Sequence, residues 1–528
     1  MNNITKIMLD TNKTKTTLII YLILVIASGF LVLQANNMLR VLFDNLSLQD
    51  FGQFGLRLFV VVSFFTSIFA INLLCDFIME RFMWAGYENL KRSYFMKLLR
   101  SNYGFFTKEG APKIWSDLAS AAQGVSFFYS RIASVFVNTV MLIFYSILVF
   151  SIDFYAGLFT IVAVPFYLLS TLAAISKFYP LQDKRLKLSG ELSNIANGVL
   201  EDVANTKTKN AYDFFVGRIA DLLRKISGLL IKFRILNSYI ESISDLITTI
   251  APLVIIFVAM QFSDTLTIEA GTILVLYINI PLLLRGFRGY HAFYTNYQAH
   301  KMNFKKLKEY DSIPLEQSGD KIINTFESLH TKDVKVEFAG GRIISIPDFD
   351  VTKGEKIMLL GESGIGKSTI FYIIMGLIKD YEGCITINGI NLKDIDIDSL
   401  RNVFGMAFQN TNVLPLTLDD NILMGANNAN LEEIIKISNL SGQAASKAGE
   451  VLNNKILSGG EKSRLGLAQV LAKGSEVILL DETFSNLDED MERQIIKSLL
   501  ERYGDKTIIC INHRSGSGVF FDRIIKFL

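Results

Sequence analysis

Gly361-Glu362-Ser363-Gly364-Ile365-Gly366-Lys367-Ser368-Thr369 stands between an apolar run, Lys356-Ile-Met-Leu-Leu360, and a second one, Ile370-Phe-Tyr. The first run predicts a buried strand and the second the opening turns of a helix. A glycine-rich turn between them lets backbone N–H groups converge on one point. The helix start turns its partial positive charge to the same point. This is a loop built to hold phosphate. In this pattern Lys367 bridges the β and γ phosphates of a nucleotide and Ser368 ligates Mg²⁺.

Toward the C-terminus the remaining pieces of a nucleotide site follow in order. Val477-Ile-Leu-Leu-Asp481-Glu482 is an apolar strand ending in two acids. After a phosphate loop, the first acid organises the Mg²⁺ shell and the second polarises an attacking water. Two acids at a strand end also suit a helix cap, but the loop upstream argues against so bland a role. From about residue 331 strands and helices alternate, as in a parallel α/β domain. No internal repeat or low-complexity tract is present.

Toward the N-terminus the composition changes. Over the whole chain half of the residues are hydrophobic, 12% are aromatic and only 20% are charged. A soluble protein of this length carries more charge. The surplus lies in the first 300 residues, where six apolar runs are long enough to cross a bilayer: 17–39, 56–79, 127–150, 155–178, 236–262 and 268–290. Ser151 to Phe154 is all that separates the third run from the fourth, which predicts a tight hairpin. The gaps 80–126 and 179–235 are polar and helical in pattern. They carry Lys91, Arg92, Lys97, Arg100, Lys108 and Lys113, then Lys184, Arg185, Lys187, Lys207, Lys209 and Arg218. The opposite loops carry Asp44, Asp50, Asp153, Asp264 and Glu269, with Arg40 and Arg57 as the exceptions. By the positive-inside rule both termini and both gaps are cytoplasmic, and the gaps read as membrane helices continuing into the cytosol. The first run lacks a small-residue cleavage site, so it reads as a span and not a removable signal. A net charge of +2 gives no reason to expect a nucleic-acid partner. Cys75, Cys384 and Cys510 have no metal-site spacing, and four histidines are too few for a metal cluster.

Six spans with two long cytoplasmic excursions, followed by an ATP site, resemble the ABC exporters. Further motifs carry the resemblance. Gln409 in Ala407-Phe408-Gln409-Asn410 matches the glutamine loop, which senses Mg²⁺. Ser458, Gly459, Gly460 and Glu461 match the signature loop, which touches the γ-phosphate held by the opposite subunit. Ser485-Asn486-Leu487-Asp488 matches the dimer loop, and His513 the switch histidine. The resemblance implies a six-helix, all-α membrane domain over 1–300, a linker over 301–325 and an α/β ABC ATP-binding domain over 326–528. It implies Glu482, His513 and Gln409 as catalytic groups, and Ser368, Gln409 and Asp481 around the metal. It implies coupling helices around Phe105 to Leu118, after turn signals at Gly110 and Pro112, and around Asn205 to Phe214.

The cofactors implied are ATP and Mg²⁺. The partners implied are a lipid bilayer and a second half-transporter; intact Glu482, His513 and signature favour a homodimer in the cytoplasmic membrane. The sequence departs from the family in several places. Glu461 replaces the commoner glutamine, Asn486 replaces alanine, and the stretch from Gln409 to Ser458 is short. The adenine-stacking tyrosine is not evident. Phe338 occupies its approximate position, although an apolar strand residue explains it equally. No protease-like segment precedes the first span, so leader cleavage of a peptide cargo would fall to another protein. Apolar lining suits peptides, lipids and drugs alike. Export of a peptide or small secreted metabolite is the expectation, with a lipid flippase or multidrug exporter of the same fold, or a non-transport ABC ATPase, as the alternatives. Intramembrane charges are expensive, and Glu241 and Asp245 on the fifth span and Arg285 and Arg288 on the sixth read either as an ion-pair cluster or as an anion-binding cavity wall.

Overall fold

The computed structural model describes residues 2–8, 12–47, 54–109, 111–262, 269–338, 341–362, 364–426, 429–440, 450–452, 456–485, 487–513 and 515–527. Ser363, Asn486, Gly110, Asp50 and Asp264 lie outside the described residues, as do the side chains of Arg288, Lys108 and Lys113. The chain divides into two compact units: Met1–Leu99 with Ala111–Ser312, and Arg100–Gly110 with Ile313–Leu528.

The first unit is helical. A short helix α1 (Asn2–Met8) precedes α2 (Asn12–Ser47) and α3 (Phe54–Leu99). The tip of the first excursion is α4 (Tyr103–Glu109), which belongs to the second unit. Then come α5 (Ala111–Ile152), α6 (Phe154–Glu201), the short α7 (Val203–Thr208), α8 (Tyr212–Phe262) and α9 (Ala270–Asp311). Five of the six expected spans fall wholly within one long helix, and the sixth lies in α9 from Ala270 onward. Among the described residues α2, α3, α5, α8 and α9 each contain a stretch long and apolar enough to cross a membrane. Apart from α4, α7 and the residues that join them, the described gap residues continue α3, α5, α6 and α8, as their helical pattern predicts.

Two expected boundaries are corrected. The first coupling segment does not run on to Leu118: α4 stops at Glu109 and Ala111 already opens α5. Pro112 sits in the first turn of α5, where its missing N–H would have had no helical partner anyway. The second short helix ends at Thr208, and Phe214 is already part of α8. The hairpin between the third and fourth spans turns on one residue. Asp153 lies between α5 and α6, is buried, and accepts the Ala156 N–H at 2.7 Å. It thereby caps a helix start that lipid could not solvate. Between α2 and α9, buried Asn279 donates from Nδ2 to Asn36 Oδ1 at 2.7 Å.

The second unit holds two sheets. The antiparallel one contains β1 (Ser328–Phe338), β2 (Arg342–Ile346), β3 (Asp350–Thr352), β5 (Glu382–Ile387) and β6 (Ile390–Asn391). The parallel one has the order β10-β4-β9-β8-β7, with β4 at Lys356–Leu360, β7 at Phe404–Ala407, β8 at Val477–Asp481, β9 at Thr507–Ile511 and β10 at Arg523–Lys526. Its helices are α10 (Lys367–Ile374), α11 (Ile397–Val403), α12 (Leu418–Leu423), α13 (Leu431–Ile437), α14 (Gly459–Lys473) and α15 (Glu489–Tyr503). Every residue of β7, β8 and β9 is buried, because a parallel sheet is covered on both faces. Alternate side chains feed two cores. Leu359, Leu479 and Ile509 join Phe326, Phe371 and Phe404 on one face. Leu480, Ile508 and Cys510 join Leu465, Phe484 and Leu499 on the other.

The expected linker 301–325 is divided at the Ser312/Ile313 boundary. Residues up to Asp311 continue α9 as one regular helix. From Ile313 onward the chain is seated on the second unit. Glu316 holds Arg401 through two bonds of 2.8 Å, and the Lys321 N–H and carbonyl bond to Asp394 and Asp396 at 2.9 and 2.8 Å. The same unit anchors α4: Ser101 bridges Leu315, and the Tyr103 ring meets Tyr372 edge-on at 6.2 Å.

Candidate functional site

In an open parallel sheet, function gathers outside the carboxyl ends of the strands. Four of the five parallel strands deliver a motif there. Gly361 follows β4, Phe408 and Gln409 follow β7, Asp481 ends β8 with Glu482 directly after it, and Asn512 and His513 follow β9.

The phosphate loop closes through left-handed backbone. Gly366, the residue before α10, has φ 114°. A Cβ there would also stand 2.2 Å from Ile344 Cγ2, so both conformation and space demand glycine. Gly364 is likewise left-handed, and Ile365 packs against the core. Lys367 curls back over the loop, its buried ammonium donating to the carbonyls of Gly361 at 2.8 Å and Glu362 at 2.7 Å. Burial lowers its pKa, against the opposing pull of Glu482 and Asp481. The Thr369 N–H bonds back to the Gly366 carbonyl at 3.1 Å, closing the first turn.

The acids of β8 meet this loop. Asp481 is 1% exposed, and its Oδ1 accepts the Ser368 hydroxyl at 2.8 Å. Burial pushes the Asp481 carboxyl up to about 6; the Ser368 bond pulls it down, the Glu482 charge raises it, and Lys367 and His513 lower it. Glu482 is a non-glycine residue with φ 48°. Such a conformation costs about 1 kcal/mol. It is held by the Glu482 N–H bond to the Ile511 carbonyl at 3.1 Å and by the Ser485 N–H bond to the Glu482 carbonyl at 3.1 Å. The two oxygens of its carboxylate are shared out. Gln409 Nε2 donates to Oε2 at 2.5 Å, and His513 Nε2 lies 2.6 Å from Oε1. An ionised carboxylate only accepts, so Nε2 of His513 carries the proton of that bond.

Gly361, Glu362, Gly364, Ile365, Gly366, Lys367, Ser368, Thr369, Asp481, Glu482, Gln409 and His513 thus converge on the carboxyl ends of the parallel strands. The signature residues belong to another element, α14. Ser458 is the N-cap of α14, and Glu461 closes a capping box: the Ser458 N–H and hydroxyl donate to Glu461 Oε2 at 2.9 and 2.8 Å, and the Glu461 N–H donates to Ser458 Oγ at 3.3 Å. Gly459 and Gly460 form the first helical turn, whose N–H groups have no partner within the helix. Phe338 is the last residue of β1 and partly exposed, directly opposite Arg342 on β2. Arg342 is a residue that the sequence motifs do not mark: its Nη2 donates to the Gly364 carbonyl at 2.5 Å. The only signal for it is its place on the hairpin that begins after Phe338. The aromatic chain Tyr103–Tyr372–Phe408, with ring centroids 6.2 and 6.1 Å apart, joins α4 to the segment that carries Gln409. In the membrane unit Arg285 is exposed, and Glu241 accepts a bond of 2.8 Å from Asn237.

Two family models match this chain: ABC transporter transmembrane region over residues 18–286, and ABC transporter over residues 344–485. The lactococcin-A transport/processing ATP-binding protein LcnC of Lactococcus lactis subsp. lactis is 27% identical over 450 residues, covering 82% of this chain and 62% of that protein. The mitochondrial iron-sulfur clusters transporter ABCB7 of Danio rerio is 31% identical over 207 residues, covering 38% of this chain and 28% of that protein. This chain therefore spans less than two thirds of the length of these relatives. The solved structure of a bacterial Atm1-family ABC exporter with ATP bound superposes with a TM-score of 0.79 at 20% identity, covering 97% of this chain and 93% of that one. At that identity the likeness is one of fold. With the membrane-region match taking in more than half of the 528 residues, and the second match lying on the phosphate loop behind it, the chain belongs to the ABC transporters and is a multi-span membrane protein whose second unit binds ATP.

Proposed function

We propose that the chain is an ABC half-transporter that hydrolyses ATP as a dimer to export a cargo across the cytoplasmic membrane. The observation that carries the hydrolytic part is the Glu482 carboxylate, held on both oxygens by Gln409 and His513 beside the phosphate loop. In that position Glu482 polarises a water toward the γ-phosphorus and takes up its proton, while the Nε2–H of His513 holds the carboxylate in place. His513 and Lys367 donate to the phosphoryl oxygens as charge develops. Lys367 exchanges its two carbonyl partners for phosphate, which restores the stabilisation of its charge that burial removes.

The donors at the Ser368–Asp481 pair fit Mg²⁺. Both are hard oxygens 2.8 Å apart, and a buried carboxyl whose pKa is raised is one that a cation would stabilise as the anion. Bound there, the ion would supply charge neutralisation between the β and γ phosphates. Ser368 and Asp481 would be its protein ligands in this proposal, with Gln409, which bonds Glu482, as a further candidate.

We infer a second copy from the match of Ser458, Gly459 and Gly460 to the signature loop, which in the family touches the nucleotide of the opposite subunit. Two copies related by a two-fold axis exchange these loops, so that Ser458, Gly459 and Gly460 of one meet the γ-phosphate on the other. Intact groups at Glu482, His513 and the signature support a homodimer. The basic excursions support a cytoplasmic ATP-binding unit. The lactococcin-A transport in the name of one relative supports export, and a peptide or small secreted metabolite is the cargo we propose.

The test is untargeted mass spectrometry of medium and cells bearing the wild-type chain or Glu482→Gln, with ATP turnover measured on the same proteins. A compound retained in the mutant cells and absent from their medium, together with lost turnover, is the expected result. Turnover near the wild-type rate in Glu482→Gln would sink the hydrolytic assignment. A cargo that moves between leaflets and never reaches the medium would replace export by lipid flipping.

A further inference from the structure

The residue before His513 is a buried asparagine, and its hydrogen bonds reach in three directions. Asn512 is 4% exposed and follows the last residue of β9. A primary amide removed from water must find partners for both ends. Its Nδ2 donates to Glu492 Oε1 at 2.6 Å and to Ser517 Oγ at 3.0 Å, and its Oδ1 accepts the His513 N–H at 2.8 Å. This orientation is the one the chemistry allows. A carboxylate accepts only, so the NH₂ end must face Glu492 and the oxygen must face the backbone N–H. The Asn512 N–H itself bonds to the Leu359 carbonyl at 3.3 Å, on the strand that leads into the phosphate loop.

The three partners sit on separate elements. Glu492 is 2% exposed on α15, and its own N–H bonds to the carbonyl of Asp488 at 2.9 Å, the N-cap of that helix at the end of the dimer loop. Ser517 is buried in the 3₁₀ turn Ser515–Phe520, beyond the histidine. The backbone on either side of His513 is therefore clamped by one side chain, and that side chain is tied to α15. At its other end the His513 ring meets Glu482 at 2.6 Å. A path of hydrogen bonds runs from α15 through Glu492, Asn512 and His513 to the carboxylate beside the phosphate loop.

We propose that Asn512 is a positioning residue for His513, and that Glu492 holds Asn512 so that the dimer-loop helix sets the placement of the histidine against Glu482. This rests on the hydrolytic reading of the site. Asn512 touches no phosphate and acts only through the histidine. Removing it lowers the rate of the chemical step and leaves nucleotide binding in place.

Steady-state ATP hydrolysis by the full chain in lipid nanodiscs tests this, with Asn512→Ala, His513→Ala, the double variant, Glu492→Gln and Glu492→Ala compared, and Glu482→Gln as reference. The expected result for Asn512→Ala is a kcat lower by about tenfold or more, with the KM for ATP within about threefold of wild type. The double variant should be no slower than His513→Ala, because two residues acting as one unit do not add. Glu492→Gln keeps an acceptor oxygen for Asn512 and should keep the rate within about threefold, whereas Glu492→Ala should fall with Asn512→Ala. If Asn512→Ala does not fold, the two Glu492 variants, each with and without His513→Ala, carry the same comparison. Losses that multiply in the double variant, or an Asn512→Ala chain changed in KM or thermal midpoint with kcat intact, would overturn the positioning role alone. Turnover that survives Glu482→Gln would overturn the hydrolytic reading and this proposal with it.

Discussion

Asp481 is a carboxyl 1% exposed with a second acid next to it in sequence, and burial holds its pKa at about 6 in the folded chain. A raised acid favours its protonated form in the fold. Its contribution to stability is therefore greatest at low pH and is lost as pH rises through about 6. The full difference is on the order of 2–3 kcal/mol. Asp481→Asn, which keeps an acceptor for Ser368, should raise the thermal midpoint at pH 7.5 in the absence of nucleotide and Mg²⁺. The gap should shrink as pH falls toward 4.5. Adding ATP and Mg²⁺ should reverse the order, since the wild-type anion gains a cation that the amide binds poorly; chelating the ion should restore it. Equal midpoints at pH 7.5 would mean that Ser368, Lys367 and His513 already offset the burial. At this scale the sequence was legible where a motif constrains several neighbours at once. Ser368 bonds Asp481 and His513 bonds Glu482; motifs mark Lys367, Ser368, Asp481 and Glu482, and family resemblance marks His513. Arg342 and Asn512 were not legible, because a single polar residue on a hairpin or after a strand carries no pattern, and only folding brings Gly364 or Glu492 beside it.

The signature helix shows what an element adds to its residues. Glu461 stands where glutamine is usual, and in α14 its carboxylate closes the capping box on Ser458. Either glutamate or glutamine can make that box, so the substitution is nearly neutral for the helix. The charge is the difference. A negative side chain favours the positive end of its own helix, by up to about 1 kcal/mol, yet repels a triphosphate approaching the same turn. Glu461→Gln should leave the thermal midpoint close to wild type and lower the KM for ATP by about threefold or more, a change of less than 1 kcal/mol. An unchanged KM would mean that the first turn of α14 does not face phosphate. Glu461→Ala should lose the cap, at a cost of about 1 kcal/mol, without this clean separation. Element boundaries were the weaker part of the sequence reading for a related reason. Gly110 and Pro112 predict a break, and α4 ends at Glu109 while α5 begins at Ala111, because proline within the first turn is compatible with a helix that starts there. The same two letters therefore fit a loop leading into a coupling helix and the opening of α5, and only the fold chooses.

At the scale of the molecule, the order of the two units was legible from composition alone. A bilayer demands long apolar helices, and a parallel sheet demands short apolar strands between helices. Which faces of the membrane helices meet lipid, cargo or another copy was not, because the same apolar side chains suit all three. The second copy is open to a sharper test, since a site shared between chains can be rebuilt from two broken ones. Lys367→Ala spoils the phosphate loop and leaves the signature whole; Gly460→Asp adds a carboxylate to the signature turn and leaves the phosphate loop whole. Each variant alone should lose nearly all turnover. In a mixed dimer one site combines both defects, while the other joins the sound loop of one chain to the sound signature of its partner. Co-purified mixed dimers carrying two different affinity tags should therefore recover measurable ATP hydrolysis, up to about half the wild-type rate where the two sites act independently. If each chain instead completed its own site, every chain in the mixture would carry a defect and no turnover would return. Recovery in the tagged mixture, set against silence in each parent, would assign Ser458, Gly459 and Gly460 to the nucleotide of the opposite chain.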